Sequence, residues 1–210
     1  MISPFAGLTK AQITKLYKLL EVHTYKYKSG KKILPTIRHD NIIGIILNGY
    51  VQIINTEYNG NEIVKENLYK DYIFGSNISL TNSEDCQILA KEDTEVLVID
   101  YNRLISSKNF SHNYFNIFFK NIFLIINEKL KDNSERIKIL EKKQIRERLL
   151  EFFDIEYKKT HSNKIFLKIT FKELADYLGV NRSAMFRELK SLKEEKFIKI
   201  DNNKITLLYK

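Results

Sequence analysis

The chain has 210 residues, 43% of them hydrophobic, which is enough for one large domain or a medium one with a small companion. Its formal net charge of +9 favours a polyanionic partner, nucleic acid or an anionic membrane surface. A single cysteine, Cys86, rules out an intrachain disulfide, a zinc finger and a cysteine-ligated iron–sulfur cluster within one chain.

The opening Met1-Ile-Ser-Pro-Phe5 lacks the charged and apolar regions of a secretory leader. The most apolar window, Phe115 to Ile126, is too short to span a bilayer and is interrupted by Asn116, Lys120 and Asn121. A soluble, cytoplasmic protein with no membrane partner is expected. Fifteen Lys and Arg against ten Asp and Glu from Gln144 onward leave +5 there and +4 for the longer first part, so charge alone does not locate a site.

Phe5 to Leu20 reads as a short amphipathic helix, with Thr9 as N-cap and Ile13, Leu16, Leu19 and Leu20 at helical spacing. From Val22 to Asp100 the period becomes that of strands. Ile42 to Leu47 is an apolar run, Asn48-Gly49 follows, and Tyr50 to Asn55 alternates. Asn-Gly between two such runs predicts a hairpin on a type I′ turn, which needs positive φ at both central residues. Asn59-Gly60 repeats the device before Glu62 to Leu68. Gly75, Gln87-Ile-Leu-Ala90 and Glu95-Val-Leu-Val-Ile99 complete at least six short strands. Close spacing with turn signals predicts a β-sandwich, barrel or roll rather than a parallel sheet.

A helical pattern resumes near Ser111. Phe115, Phe118, Phe119, Ile122, Ile125, Ile126 and Leu130 cover more than half of its circumference, so the helix must be covered on two sides. One side can pack on the β domain, and the same helix of a second copy is the simplest cover for the other. Burial within one chain is the alternative. Asp132-Asn-Ser-Glu135 interrupts the apolar pattern, Ser134 with Ile137 and Leu140 restarts it, and Ile145, Leu149, Phe152 and Phe153 continue it or begin the next helix.

After a polar break at His161-Ser-Asn163, Ile165 to Ile169 forms a short strand running into Thr170. Thr170 with Glu173 three residues on is a capping box. Leu174, Ala175 and Leu178 share one face, and Gly179 ends that helix where a left-handed backbone costs least. Asn181 is an N-cap for a second helix whose inner face is Ala184 or Met185, Leu189 and Leu192, and whose outer face carries Arg182, Ser183, Phe186, Arg187 and Lys190. An apolar-backed helix with arginines outward, behind a glycine turn, suits a helix-turn-helix in a DNA major groove; a solvated basic hairpin is the plain alternative. Phe197 to Ile200, the turn Asp201-Asn-Asn203 and Ile205 to Leu208 add a β-hairpin, which makes the unit a winged helix.

With these parts in place the whole chain resembles the cyclic-AMP receptor protein / FNR family of bacterial transcription regulators. The resemblance is carried in the β domain by Phe5-Ala-Gly-Leu8, Lys28-Ser-Gly30, Leu47-Asn-Gly-Tyr-Val-Gln-Ile53, Asp71-Tyr-Ile-Phe-Gly75 and Thr94-Glu-Val-Leu-Val-Ile99. In the C-terminal part it rests on Arg148-Leu-Leu150, Ile169-Thr170, Glu173-Leu-Ala175, Leu178-Gly179, Asn181-Arg-Ser183, Arg187 and Leu192. It implies an α+β fold: an antiparallel β-roll of the cyclic-nucleotide-binding jelly-roll type over 1–110, a dimerisation helix and hinge over 111–143, and a winged helix-turn-helix over 144–210.

The departures are informative. Family members that bind cyclic nucleotide carry Phe-Gly-Glu and a later arginine that neutralises the cyclic phosphate. Here Phe74-Gly75 is followed by Ser76, and Glu84 and Asp85 align where the arginine and its neighbour would stand. Carboxylates repel a phosphate where a guanidinium should clamp it, so control by cyclic AMP is not expected. Any effector pocket would involve Phe74, Gly75, Ser76, Glu84, Asp85 and Cys86. The thiol of Cys86 is expected to be a strand or core group, made less reactive by its acidic neighbours. His23, His39, His112 and His161 are scattered, so neither metal, haem nor another cofactor is expected.

On the DNA side, the resemblance places Arg187 against guanine, Arg182 against a phosphate or guanine, and Ser183 where a glutamate would accept from cytosine. Thr170 suits a phosphate contact, Asn181 and Phe186 lie beside these residues, and Lys190 and Lys204 add salt-dependent affinity. The expectation is a homodimeric regulator, not an enzyme, that binds double-stranded DNA at an inverted repeat, works with RNA polymerase and answers to an unidentified small molecule or none. Two alternatives are a regulator responsive to a cyclic nucleotide or other small molecule through an altered cassette, and a sensor or scaffold that uses the winged helix for protein contacts.

Overall fold

The computed structural model describes residues 2–33, 41–56, 58, 62–75, 86–167 and 169–210. Among the positions singled out above, His39, Asn59-Gly60, Ser76, Glu84 and Asp85 lie outside the described residues. The chain divides into two compact units, Met1–Glu128 and Lys129–Lys210.

In the first unit, helix α1 (Lys10–Leu20) starts at its cap, five residues later than the apolar pattern suggested. The Thr9 hydroxyl accepts from the Gln12 N–H at 3.3 Å, and the Gln12 side chain accepts from the Thr9 N–H at 2.9 Å. Among the described residues seven strands follow: β1 (His23–Tyr27), β2 (Ile42–Asn48), β3 (Val51–Thr56), β4 (Glu62–Leu68), β5 (Ile73–Gly75), β6 (Cys86–Ala90) and β7 (Thr94–Asp100). They form two antiparallel sheets, in the orders β1-β7-β2-β5 and β4-β3-β6.

This topology overturns the hairpin expected at Asn48-Gly49. β2 and β3 are consecutive but belong to different sheets. Only Gly49 has positive φ, at +93°, whereas a type I′ turn needs it at both positions. A Cβ on Gly49 would stand 2.7 Å from the Asp93 carbonyl oxygen and 2.8 Å from Thr94 Cα, so the glycine lets the chain cross tightly against the start of β7. The β3–β4 pair is antiparallel as expected, with Thr56 opposite Glu62.

Around β2 and β7 the four-stranded sheet is buried on both faces, which explains why Ile42 to Leu47 is a run rather than an alternation, while the edge strand β1 is exposed. Ile43, Ile45, Leu97 and Ile99 pack with Leu16 and Leu20 of α1. Ile46 and Val96 point the other way, into a second core with Val51, Ile53, Leu68, Phe74 and Ile88. Gly44 makes room for the Phe74 ring, which a Cβ there would meet at 2.3 Å.

A short helix α2 (Tyr101–Leu104), capped by Asp100, and a 3₁₀ turn (Ser107–Ser111) lead to α3 (Asn113–Leu140). Phe115, Phe118, Ile122 and Ile125 of α3 close the first core. Buried Asn121 donates to the carbonyls of Pro4 at 3.1 Å and Ala6 at 2.8 Å, pinning the N-terminal turn to this helix. The expected interruption at Asp132–Glu135 is absent: α3 runs through it. Asp132 and Glu135 are side-chain partners of Lys159, at 3.8 and 2.6 Å, rather than a helix end.

The second unit continues with α4 (Ile145–Thr160), β8 (Lys164–Phe166), α5 (Phe171–Leu178), α6 (Arg182–Glu194), β9 (Ile198–Asp201) and β10 (Lys204–Leu207). The strands form an antiparallel sheet in the order β8-β10-β9, closed by a two-residue turn at Asn202-Asn203 with Asn202 left-handed. One core holds it together: Ile139, Leu149, Phe153, Ile165, Leu174, Leu178, Met185, Leu189, Leu192, Ile198, Ile205 and Leu207. The chain is therefore an α+β protein with an N-terminal antiparallel β-roll, a long helix and a C-terminal winged helix-turn-helix.

Candidate nucleic-acid interface

The helix-turn-helix is fixed by its caps. The Thr170 hydroxyl accepts from the Glu173 N–H at 3.2 Å. The Glu173 carboxylate accepts from the Thr170 N–H at 2.7 Å and its hydroxyl at 2.9 Å, which holds that carboxyl below its ordinary range. Gly179 is left-handed at φ +62°, and Val180 N–H reaches back to the Ala175 carbonyl at 3.0 Å. The Asn181 side chain then accepts from the N–H groups of Ser183 at 2.9 Å and Ala184 at 3.2 Å, starting α6. Met185, Leu189 and Leu192 are buried, while Ala184 is half-buried. Arg182, Ser183, Phe186, Arg187 and Lys190 all face solvent, as their spacing predicted.

The arginines divide sharply by duty. Arg148 donates from Nε to the Lys142 carbonyl at 2.8 Å, and from Nη1 to the carbonyls of Leu178 and Gly179, each at 3.0 Å. Its Nη2 reaches the Leu140 carbonyl at 3.3 Å. One guanidinium thus satisfies the carbonyl ends of α3 and α5, where the helix dipoles favour a cation. Arg136 donates to the Tyr177 carbonyl at 3.2 Å and lies over the Tyr177 ring. Arg146 forms a two-pronged pair with Glu195 and lies over the Phe197 ring. Arg103, in the first unit, pairs with Glu21. Of the six described arginines, only Arg182 and Arg187 have no hydrogen bond or ion pair among the described residues, and both lie on the outer face of α6.

Thr170 and Asn181 are committed to their helix starts. A phosphate near Thr170 would meet the remaining free N–H groups of α5 but also the Glu173 carboxylate. Lys190 has Glu194 at 3.8 Å. Lys204 begins β10, its Nζ 5.6 Å from the centre of the exposed Phe166 ring. Phe166 and Phe171 were not singled out in the sequence, although outward Phe166 follows from strand alternation around buried Ile165, and Arg148 stood out only as part of the Arg148-Leu-Leu150 motif, with no structural duty attached.

Of the residues named for dimerisation, Phe115, Phe118, Ile122 and Ile125 lie in the core of their own chain, and Phe119 and Ile126 are half-buried against it. Leu130 is 61% exposed. The apolar side chains of α3 left in solvent are Phe123, Leu124, Leu130, Ile137 and Leu140. The seven-residue interval of Phe123, Leu130 and Ile137 is the signal that would have found them.

In the β-roll, Phe74 is fully buried, and a Cβ on Gly75 would meet the Ile42 carbonyl oxygen at 2.3 Å. Cys86 is half-buried, and burial pushes its thiol up, with Lys65 opposing. Among the described residues no group of three or more His, Cys, Asp or Glu is placed to hold a metal ion, and no helix is long and apolar enough to cross a membrane.

Residues 133–209 match the family model of the Crp-like helix-turn-helix domain. Nearly the whole chain shares its fold with solved structures of this kind. A CooA variant from Carboxydothermus hydrogenoformans is 21% identical, with 95% of this chain and 92% of that chain covered and a TM-score of 0.60. The catabolite activator protein of Thermus thermophilus is 20% identical, with 98% and 93% covered and a TM-score of 0.51. The c-di-GMP-responsive global regulator CLP of Xanthomonas campestris is 17% identical, with 95% and 99% covered and a TM-score of 0.53. No curated protein sequence matches the chain.

Proposed function

We propose that this chain, which carries a Crp-like helix-turn-helix domain within the fold of the cyclic-AMP receptor protein / FNR regulators, is a sequence-specific DNA-binding transcription regulator that acts as a homodimer on an inverted repeat. The observation that carries this reading is the division of arginines: those elsewhere among the described residues hold the fold, and the two without such partners stand together on α6. In a major groove, Arg187 is suited to the O6 and N7 of guanine, and Arg182 to a phosphate or a second guanine. Ser183 offers no carboxylate to cytosine, so preference at that base should differ from relatives with glutamate there. Lys190 and Lys204 add phosphate contacts.

A second copy would dock through α3, whose exposed Phe123, Leu130 and Ile137 recur at coiled-coil spacing. The β-roll would bias the pair of recognition helices. Ser76 after Phe74-Gly75, with Glu84 and Asp85 in place of a phosphate-neutralising arginine, argues against cyclic AMP as the trigger. The output would pass to RNA polymerase in the cytoplasm.

Selection of bound duplex from a random pool tests the reading. The expected product is an inverted repeat with half-site centres about 10 base pairs apart or a multiple of that, bound with a steep salt dependence. Leu130→Asp should shift the protein toward monomer in sedimentation and weaken binding to the full repeat. Binding without sequence preference or salt slope would instead favour a winged helix that contacts protein.

A further inference from the structure

Phe186 does not belong to the packed core of the second unit, and it keeps 40% of its surface exposed on the outer face of α6. Its neighbours hold it in place nonetheless. The Phe171 ring, half-buried at the start of α5, lies 5.3 Å from it at 47°. The Arg182 guanidinium, one helical turn earlier, is 5.6 Å from the ring centre. A braced aromatic ring therefore stands open on the same surface as Arg182, Ser183, Arg187 and Lys190. The ring is thus held in one place by its neighbours while 40% of its surface stays open to a partner.

Within a major groove, the base-edge group that answers an apolar side chain is the C5 methyl of thymine. We infer that Phe186 is a specificity residue that reads a thymine methyl in the same half-site as the base pair read by Arg187. This rests on the DNA-reading function proposed above. Phe171 is the positioning residue, fixing the ring relative to the start of α5. Arg182, drawn over the ring, is pre-oriented by the same contact.

The test uses the full-length protein and duplexes carrying its selected site, with thymines replaced one at a time by deoxyuridine. That exchange removes the methyl and leaves pairing intact. At one thymine in each half-site the wild type should lose about three- to fivefold in affinity, the factor associated with burying one methyl group. Phe186→Ala, shown by a single cooperative thermal transition to remain folded, should bind thymine and deoxyuridine sites equally. Arg187→Ala should keep the loss at that thymine while losing its guanine preference. A selected half-site without thymine, a wild type indifferent to every replacement, or a Phe186→Ala variant as sensitive as the wild type would overturn the inference alone. A wild type with no sequence-preferring binding would overturn the DNA-reading function and this inference together.

Discussion

Helices α4 and α6 of the winged helix use the same side chain to opposite ends. On α4, Arg146 and Arg148 turn toward protein: one grips Glu195 and the other gathers carbonyls from Leu140, Lys142, Leu178 and Gly179. On α6, Arg182 and Arg187 turn to solvent, with no carboxylate or carbonyl holding them among the described residues. The difference teaches that a basic composition has no single meaning. Some of the positive charge here completes helix ends, and some is held out for a partner.

The largest effect should come from the held class. Arg148→Ala strands carbonyls at two helix ends and should cost about 2–4 kcal/mol of stability, read as a lower denaturant midpoint. Arg187→Ala should leave that midpoint within about 0.5 kcal/mol but remove about 1–3 kcal/mol of preference for guanine at one position, read by competition between sites. If both variants instead lose stability alike, the division between holding and reading arginines fails.

The smallest effect concerns pH. Hydrogen bonds from Arg146 and the Ser191 hydroxyl pull the Glu195 carboxyl down to about 2. A depressed folded value means its stabilisation is complete above the ordinary carboxylate value and fades as pH falls from there through about 2. Acid-unfolding curves of wild type and Glu195→Gln should accordingly differ at neutral pH and converge at the acid end, the gap being small because the pair is exposed.

What could be read beforehand was whatever depends on near neighbours. Thr9, Thr170, Gly179 and Asn181 act as caps because capping involves residues two to four apart, all visible in a string. The recognition surface was legible for the same reason: Met185, Leu189 and Leu192 define an inner face and leave the outer one to the arginines. Pairing between distant strands was not legible. Asn48-Gly49 has the chemistry of a hairpin, yet β2 finds β5 and β7, and β3 finds β4 and β6. The acidic stretch at Asp132–Glu135 misled similarly, because its partner Lys159 lies on another helix. There burial pulls the ammonium down, but the close ion pair with Glu135 and the charges of Glu156 and Asp132 outweigh it and lift the ammonium to about 12. Periodicity also could not say which apolar side of α3 its own chain covers, so Phe115, Phe118, Ile122 and Ile125 stood out before Phe123 and Ile137.

The crossing at Gly49 also bears on how the protein comes into being. Ile43 and Ile45 of β2 pair with Ile99 and Leu97, more than 50 residues further along, while the strand made next to β2 joins a different sheet. During synthesis β2, apolar on both faces, has only the three-residue β5 to pair with until β7 emerges. Closing so long a loop is entropically costly and slows folding. In the winged helix α5 and α6 are capped and consecutive, and β9 and β10 are joined by a two-residue turn. Its longest-range strand pairing, β8 with β10 at Ile165 opposite Ile205, closes a shorter loop than β2 with β7. In refolding, helix formation in the second unit should precede completion of the β-roll, leaving the roll as the slow and aggregation-exposed part of the chain.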